Sequence, residues 1–318
     1  MTQWNLGNSN IRQQKPGRSD GYYEIGANLD TYLDLIAHEL KLKIINASKL
    51  IGESSINLKL DTDTSSYILK IDPWVGVLKT SKVFFDLVNQ NVPNAPTPKI
   101  IAYDDSKIVI PYEFILLNYI DHSKPELLEN THKFEAGRLL GEVFKDIHKV
   151  DVDGYGSPQG DNQWQFNNWK DFIKHYLSDP CSQESNNILT AKDIAKVKDL
   201  VDKLEEIPPK LLHADIGMQN TLYTLQNDKL QLVGLIDPDT LGGDPYWDLA
   251  IALKENDDFG KGFAQGYWNN EKNDYINDKK LQTLILVQLI WIIGWRKVSG
   301  YSEGHYKNYF ETLIKEFN

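Results

Sequence analysis

Three polar side chains in the second half of this 318-residue chain have types and spacing suited to one reaction. Asp215 follows the apolar pair Leu211-Leu212, Asn220 lies five positions later, and Asp237 follows a short apolar run. An amide oxygen and a carboxylate are hard oxygen ligands that suit Mg²⁺, which usually takes one or two protein ligands and also binds substrate phosphates. The residue types therefore indicate a metal–phosphate site with a further carboxylate nearby.

The local pattern predicts how two of these side chains come together. The apolar runs Thr221–Leu225 and Leu230–Ile236 are separated by the polar cluster Gln226-Asn-Asp-Lys229, which is typical of a β-hairpin. Antiparallel partners lie about 5 Å apart, so the residue before the first strand and the residue after the second should be neighbours. We therefore expect Asn220 next to Asp237.

The spacing of these residues also carries a resemblance. His213, Asp215 and Asn220 repeat the His-x-Asp-x-x-x-x-Asn order of the protein-kinase catalytic loop. Followed by Ile236-Asp-Pro and Gly243-Asp-Pro-x-x-Asp-Leu-Ala, the series resembles the aminoglycoside phosphotransferase superfamily, the small-molecule branch of the kinase-like fold. The resemblance implies a bilobal α+β protein-kinase-like fold, with a β-rich N-lobe at residues 1–117 and a mainly helical C-lobe at residues 118–318.

The resemblance also implies a role for each motif residue. Asp215 is expected to be the catalytic base that accepts or orients the proton of an acceptor hydroxyl, while Asn220 and Asp237 hold Mg²⁺. The other polar residues of the motif are expected to orient the loop or cap a helix, the ordinary role of Asp before a helix. These residues are His213, Asp244 and Asp248.

The N-lobe offers weaker signals for nucleotide binding. Lys70 lies inside the apolar run Tyr67–Ile71, in the position of the kinase β3 lysine, so the resemblance implies contact with nucleotide phosphates. A lysine in a strand is usually only a solvent-facing residue. The loop before it could donate to phosphates, although an ordinary hairpin turn would look the same. The nucleotide-binding residues expected besides Lys70 are Gly52, Ser54 and Ser55 in this loop, and Leu117 and Tyr119 at the interlobe linker.

One segment departs from the kinase pattern. Trp74–Asn89 reads as the helix that normally supplies a glutamate to pair with the phosphate lysine. The segment Val77–Leu87 contains no glutamate, and Asp86 is its only acid. Either Asp86 or a residue elsewhere fills this role, or the lysine is held differently.

Periodicity predicts the remaining elements. Residues 1–20 are polar and read as a loosely ordered arm, Asn28–Leu42 reads as one helix, and Gly154–Asn168 reads as a long loop. Five further segments read as C-lobe helices: Thr131–His148, Trp169–Leu177, Ala191–Leu204, Asp258–Trp268 and Leu281–Val298.

Composition narrows the class of protein. The formal net charge of −11 argues against nucleic-acid binding, which requires basic surface. The single cysteine, Cys181, cannot form an internal disulfide, and the apolar run Leu284–Ile293 is too short to span a bilayer. The N-terminus lacks the pattern of a secretory signal. We expect a cytoplasmic protein without membrane or nucleic-acid partners, as a monomer or weak dimer.

The expected reaction is transfer of the γ-phosphoryl group of ATP, with GTP possible, to a hydroxyl of a small molecule in the presence of Mg²⁺. Five acids on the expected acceptor side favour an aminoglycoside or another amine-bearing sugar, and so an antibiotic-resistance role, although they could equally be a solvated rim. They are Asp151, Asp153, Glu255, Asp257 and Asp258. Ketosamines, macrolides and other metabolites stay open as acceptors. An alternative of another class is a catalytically silent, kinase-like ligand-binding module.

Overall fold

The chain divides into two compact units. The computed structural model describes residues 19–50, 52, 55–123, 132–160, 163–227, 229–269 and 275–317. The N-terminal unit comprises the described residues of the ranges Met1–Asp86 and Thr97–Asp121, and the C-terminal unit comprises those of Leu87–Pro96 and His122–Asn318. The first unit is built on a sheet and the second is mainly helical, which confirms the predicted α+β class with a β-rich first part and a mainly helical second part.

The N-terminal unit is a five-stranded antiparallel sheet with helices. Its strands lie in the order β1-β2-β3-β5-β4. Alternate residues of β2 and β3 are buried, and they pack in one apolar cluster with side chains of α1 and α2. The elements are α1 (Asp20–Ala27), α2 (Leu29–Glu39), β1 (Ile44–Lys49), β2 (Ile56–Thr62), β3 (Ser66–Asp72), α3 (Val77–Asn91), β4 (Ile100–Asp104) and β5 (Glu113–Asn118). The last turn of α3, from Leu87, belongs to the C-terminal unit.

The start of this unit differs from the sequence prediction. The helix predicted over 28–42 is confirmed as α2, but a second helix, α1, precedes it and begins at Asp20, the last residue of the region read as a polar arm. Ser19 caps α1 by accepting a hydrogen bond from the Tyr22 N–H at 3.3 Å. The break falls at Asn28, whose backbone N–H and side-chain amide both donate to the Glu24 carbonyl, at 3.1 and 2.9 Å, and so cap the end of α1. Residues 1–18 lie outside the described residues.

The C-terminal unit contains most of the helices and two small sheets. One sheet is the hairpin β9-β10, and the other has the order β7-β6-β11-β8. Its elements are α4 (Lys133–Ile147), β6 (Tyr155–Gly160), β7 (Gln163–Phe166), α5 (Trp169–Ser178), α6 (Pro180–Glu184), α7 (Ala191–Asp202), β8 (Lys210–Leu212), β9 (Thr221–Gln226), β10 (Lys229–Leu235), β11 (Leu241–Gly243), α8 (Tyr246–Leu253), α9 (Asp258–Trp268), α10 (Lys279–Val298) and α11 (Gly304–Leu313).

The predicted loop at 154–168 is wrong in part, because β6 and β7 form a short irregular hairpin there. The β6 sequence Tyr155-Gly-Ser-Pro-Gln-Gly160 contains two glycines and a proline and gives no strand signal, whereas the four residues Gln163-Trp-Gln-Phe166 of β7 alternate but are few. The pairing of Gly242 with Gly156 joins this hairpin to β11. A Cβ on Gly242 would lie 2.0 Å from the Gly154 carbonyl oxygen, so this close approach of two backbones requires glycine.

Helices α4 and α9 pack together through glycines. A Cβ on Gly137 or Gly141 of α4 would meet a carbonyl oxygen of α9 at 2.0 or 2.1 Å, and a Cβ on Gly262 or Gly266 of α9 would meet a carbonyl oxygen of α4 at 2.0 Å. The small-residue spacing on both helices lets their backbones approach closely. This contact fixes α4, which carries side chains of the candidate site.

Helix α10 is the core helix of the C-terminal unit. Residues 281–290 are all buried, so the predicted buried helix is confirmed. At 20 residues it is longer than its uninterrupted apolar run, and by length and composition it could cross a membrane. However, 72% of its apolar window is buried within the protein, which is typical of a core helix.

Candidate active site

The predicted hairpin is confirmed and brings the two expected metal ligands to one end. Leu235 pairs with Thr221, and the Ile236 N–H donates to the carbonyl oxygen of Asn220 at 3.0 Å. Asp237 is the next residue along the chain, and its φ of +52° turns the backbone away from the strand direction. A non-glycine residue in this region costs about 1–3 kcal/mol, which is typical of positions held for a function.

Asn220 is held directly against Asp215. Its side-chain amide nitrogen donates to the Asp215 carboxylate oxygen Oδ2 at 2.6 Å and to the Asp215 carbonyl oxygen at 2.9 Å. Both bonds use the Nδ2 atom, so the amide plane is fixed and the carbonyl oxygen Oδ1 is oriented as the acceptor or metal-ligand atom of the side chain. The geometry links the expected base to one expected metal ligand.

His213 lies between this loop and the hairpin in a single tautomer. Its Nε2 is 3.0 Å from the Ile236 carbonyl oxygen, which can only accept, so Nε2 carries a proton. Its Nδ1 then accepts from the Asp215 N–H at 3.3 Å. Burial lowers the pKa of His213 and outweighs the opposing effect of Asp248. The imidazole is therefore neutral and positions the backbone of Asp215.

Asp248 of α8 binds the backbone of the same loop. Its Oδ2 accepts from the His213 N–H at 2.9 Å, and its Oδ1 accepts from the Ala214 N–H at 2.8 Å. Ala214 has a φ of +63°, so the carboxylate holds a strained turn just before Asp215. His148, the residue after α4, donates from Nε2 to Oδ2 at 3.0 Å and accepts at Nδ1 from the Tyr267 hydroxyl at 3.1 Å. Asp248 has no solvent exposure and contacts the loop backbone.

Asp244 is also buried but contacts different groups. Its Oδ1 accepts from the Tyr246 N–H at 3.0 Å, at the start of α8, and its Oδ2 forms an ion pair with Lys280 of α10. These partners lie on the helices, so Asp244 joins α8 to α10.

The donor set of the hairpin end fits Mg²⁺. Asn220 supplies an oriented amide oxygen, Asp237 supplies a carboxylate on the neighbouring strand end, and Mg²⁺ rarely takes more than two protein ligands when it also binds phosphates. A cage of three or more His, Cys, Asp or Glu side chains is absent from the described part of the chain. The arrangement suits a cation that is bound together with a phosphate-bearing substrate.

A comparison with family models identifies the class of this site. A model described as "Phosphotransferase enzyme family" matches residues 50–277. The chain belongs to this phosphotransferase family. The match includes the whole series from His213 to Asp248, and it makes the chain an enzyme of the small-molecule kinase class, as predicted.

Solved structures share the fold of this phosphotransferase. Aminoglycoside phosphotransferase APH(4)-Ia, as a thermostable mutant in ternary complex with ADP and hygromycin B, is 16% identical with a TM-score of 0.66, over 89% of this chain and 97% of the other. A fructosamine-3-kinase described as putative, from Haemophilus somnus, is 18% identical with a TM-score of 0.62, over 89% and 95%. A comparison with the curated proteins gave no significant match.

The nucleotide residues expected in the N-terminal unit lie in and beside its sheet. Lys70 is half-buried in β3, where Asn57 of β2 and Ile115 of β5 are its cross-strand partners. Gly52 and Ser55 are described, and Ser55 is 4% exposed, whereas Ser54 lies outside the described residues. The roles of these residues in the phosphotransferase stay predictions.

The expected linker residues continue the sheet. Leu117 pairs with both Ile68 and Ile100, because β5 lies between β3 and β4. The Tyr119 N–H donates to the Ser66 carbonyl oxygen at 3.0 Å. The sheet itself therefore uses backbone groups that were expected to read a nucleotide base, and this role stays a prediction.

The acid of the αC-like helix has a local partner. Asp86 accepts from Lys82 at 2.5 Å, one turn earlier in α3, and its side chain is 54% exposed. An exposed i,i+4 pair of this kind is an ordinary helix-surface interaction.

Sequence reasoning did not single out two residues that respond to the charge of Asp215. Burial lowers the pKa of Lys254, opposed by the nearby charges of Glu255 and Asp215. Burial also raises the pKa of Tyr176, with smaller contributions that include Asp239 and Asp215. Lys254 directly follows the apolar helix α8. A lysine next to a buried apolar run was the signal by which the sequence could have indicated a buried cation.

Proposed function

We propose that this phosphotransferase transfers the γ-phosphoryl group of ATP to a hydroxyl of a small molecule. The observation that carries the proposal is the hydrogen-bonded unit of Asp215 and Asn220, fixed on one side by His213 and on the other by Asp248. Phosphoryl transfer is accelerated mainly by positioning and by charge neutralisation. The hydrogen bond holds the Asp215 carboxylate next to the amide oxygen of Asn220, so a proton acceptor and a metal ligand lie side by side, as phosphoryl transfer requires.

The roles of the residues follow from their chemistry. Asp215 orients the acceptor hydroxyl and accepts its proton as the oxygen approaches phosphorus. Asn220 and Asp237 hold Mg²⁺, which neutralises phosphate charge when it is bound. Asn220 limits the motion of the Asp215 carboxylate through its 2.6 Å hydrogen bond. Lys70 is proposed to bind the α- and β-phosphates of ATP, with GTP as the alternative donor.

We propose a sugar hydroxyl as the acceptor group, without assigning the sugar. An amine-bearing sugar was the first choice from sequence, but four of the five acids behind that choice have partners within the protein. Asp151 pairs with Lys210, and Asp258 with Lys261. Asp257 caps α9 through the Gly260 N–H. Glu255 accepts from the Tyr306 hydroxyl at 2.6 Å. An aminoglycoside would therefore compete with these partners for the carboxylates.

The structural neighbours suggest which acceptors to test first. One is named as an aminoglycoside phosphotransferase and was solved with hygromycin B, and another is named as a fructosamine kinase. We include both acceptor classes, and an antibiotic-resistance role applies only if the aminoglycoside arm gives turnover. A cytoplasmic location and a monomeric or weakly dimeric state remain part of the proposal.

The test combines nucleotide binding with an acceptor screen. The full chain should show a Mg²⁺-dependent rise in melting temperature with ATP, followed by acceptor-dependent release of ADP on a panel of aminoglycosides, ketosamines, macrolides and simple glycosides. Mg²⁺-dependent nucleotide binding without turnover on any member would instead favour a silent ligand-binding module. Absence of both would overturn the proposed chemistry.

A further inference from the structure

Four aromatic rings form a continuous row in the C-terminal unit. Tyr176 of α5 lies 6.1 Å from Trp291 of α10, Trp291 lies 6.3 Å from Trp295, and Trp295 lies 5.7 Å from Tyr301, measured between ring centroids. The planes of successive rings differ by only 27°, 14° and 24°. These four residues, the aromatic row, come from three segments of the chain, and each ring is nearly parallel to the next.

The row occupies the open side of an otherwise buried helix. Between residues 281 and 295, only Trp291 and Trp295 of α10 are not buried, and they lie one turn apart. The surface side of a core helix usually carries charged side chains, because they are readily solvated. Tyr301 continues the row with a side chain that is 55% exposed. Two tryptophans and an exposed tyrosine at this position are typical of a binding surface rather than of a solvated face.

One end of the row is connected to the catalytic loop by direct contacts. The Tyr176 ring lies 4.9 Å from the ring of Trp247, which precedes Asp248 on α8. Asp248 in turn accepts hydrogen bonds from the backbone of the loop that carries Asp215. The charge of Asp215 also contributes to the raised pKa of Tyr176, whose main cause is burial. The row therefore begins near the proposed base.

The other end of the row is bordered by a cation, Arg296. The Arg296 guanidinium lies 5.4 Å from the Tyr301 ring centroid and 5.3 Å from that of Tyr306. Tyr306 donates to Glu255, whose other carboxylate oxygen lies 3.8 Å from the Lys254 ammonium. Glu255 is thus shared between two protein groups. Arg296 donates to a neutral acceptor, the Ser302 carbonyl oxygen, so its charge disfavours a further positive charge beside Tyr301.

We propose that the aromatic row binds the acceptor, and that the acceptor is a neutral glycoside with at least two rings. The proposal rests on the proposed function, because it names the substrate class of the same site. Ring faces of the acceptor lie along the row, and one of its sugar hydroxyls reaches Asp215. Stacking on indole and phenol rings suits apolar ring faces, and the cationic border favours an acceptor without ammonium groups.

The test compares three probes by calorimetric titration of the full chain: para-nitrophenyl glucoside, glucose and para-nitrophenyl glucosaminide. The nitrophenyl glucoside should bind more tightly than glucose, which lacks the second ring, and more tightly than the glucosaminide, which adds one ammonium. In Trp295→Leu its Kd should rise about threefold to tenfold, the loss expected for one stacking partner. ATP binding should be unchanged.

Trp268→Leu is the matched control, because Trp268 is a half-buried tryptophan of the same unit that stacks on Tyr275, outside the row. It should bind the nitrophenyl glucoside like the wild type, and melting temperatures of both variants report folding. Equal binding by Trp295→Leu and wild type, no binding of the nitrophenyl glucoside, or tighter binding of the glucosaminide would each overturn the inference. Row-dependent binding without transfer of phosphate to the bound probe would support the inference and count against the proposed function.

Discussion

Replacing Asp248 with asparagine tests how the catalytic loop is held. The two side chains have the same shape, but asparagine carries an NH₂ group in place of one carboxylate oxygen. In the wild type, Oδ1 accepts one N–H and Oδ2 accepts two, from the donors Ala214, His213 and His148. Either orientation of the amide therefore directs its NH₂ group at a donor. The less damaging one keeps the two bonds at the Oδ2 position and loses the bond from Ala214.

The expected loss of stability follows from this count. A buried donor left without a partner costs about 1–3 kcal/mol, and hydrogen bonds to a charged group are themselves worth about 1.5–3 kcal/mol. In the variant, the Ala214 N–H and the asparagine NH₂ group are two unpaired donors, and the remaining bonds go to a neutral acceptor. Together these losses should lower the free energy of unfolding by about 3–5 kcal/mol. For a unit of this size the melting temperature should fall by roughly 6–20 °C.

Activity should fall as well, because the strained turn at Ala214 loses its acceptor. A displacement of a catalytic group by about 1 Å can reduce a rate about a hundredfold, so kcat should drop about 10–100-fold with little change in the KM for ATP. Asp257→Asn is the matched control, since asparagine caps a helix as well as aspartate does. Thermal unfolding and steady-state turnover provide the measurements. A variant with wild-type melting temperature and kcat would refute the role given to Asp248.

Three further predictions concern the same unit. In Asn220→Asp a second carboxylate would lie at hydrogen-bond distance from Asp215, and their repulsion would raise the pKa of one of the two. The kcat should therefore fall at least about a hundredfold. A loss of kcat below about tenfold in steady-state turnover would count against the pairing of Asn220 with Asp215. Because burial lowers the pKa of His213 below 6.5, the folded protein binds fewer protons than the unfolded chain, and stability should decline as pH falls from 6.5 until the lowered pKa is passed. Urea titrations of His213→Gln should lack this part of the pH dependence, and an unchanged slope would show that His213 is not its source. Gly141→Ala places a Cβ 2.1 Å from a carbonyl oxygen of α9 and should lower the free energy of unfolding by about 1–3 kcal/mol or more. Gly160→Ala is the control, because a Cβ there would have no atom within 4 Å, and it should change the free energy of unfolding little. Equal stability of the two variants in urea titrations would contradict the contact between α4 and α9.

The hairpin and its loop were predictable because their signals are local. Apolar runs on either side of a polar turn specify β9 and β10, and the chain itself then brings Asn220 close to Asp237. The positive φ angles of Ala214 and Asp237 were not predictable, since nothing in the types of these residues requires them. They arise from contacts with distant groups, such as the carboxylate of Asp248.

Long-range contacts explain the other differences. A glycine within a helix pattern reads as a weak helix former, and only the approach of α9 shows why Gly137 and Gly141 are needed. Strand β6 carries glycines and a proline instead of a period-two pattern, and its place in the sheet comes from pairing with β7 and the distant β11. The aromatic row brings Tyr176 together with residues more than a hundred positions later in the chain, so no sequence window contains it.

The most direct test of the central claim is a single-turnover assay with Asp215→Asn, excess enzyme and γ-labelled ATP with Mg²⁺, on an acceptor identified by the screen. Labelled product should form at least about a thousandfold more slowly than in the wild type, while the Kd for Mg²⁺–ATP should change less than about threefold. Wild-type rates of product formation in Asp215→Asn would contradict the assignment of the base and, with it, the proposed mechanism.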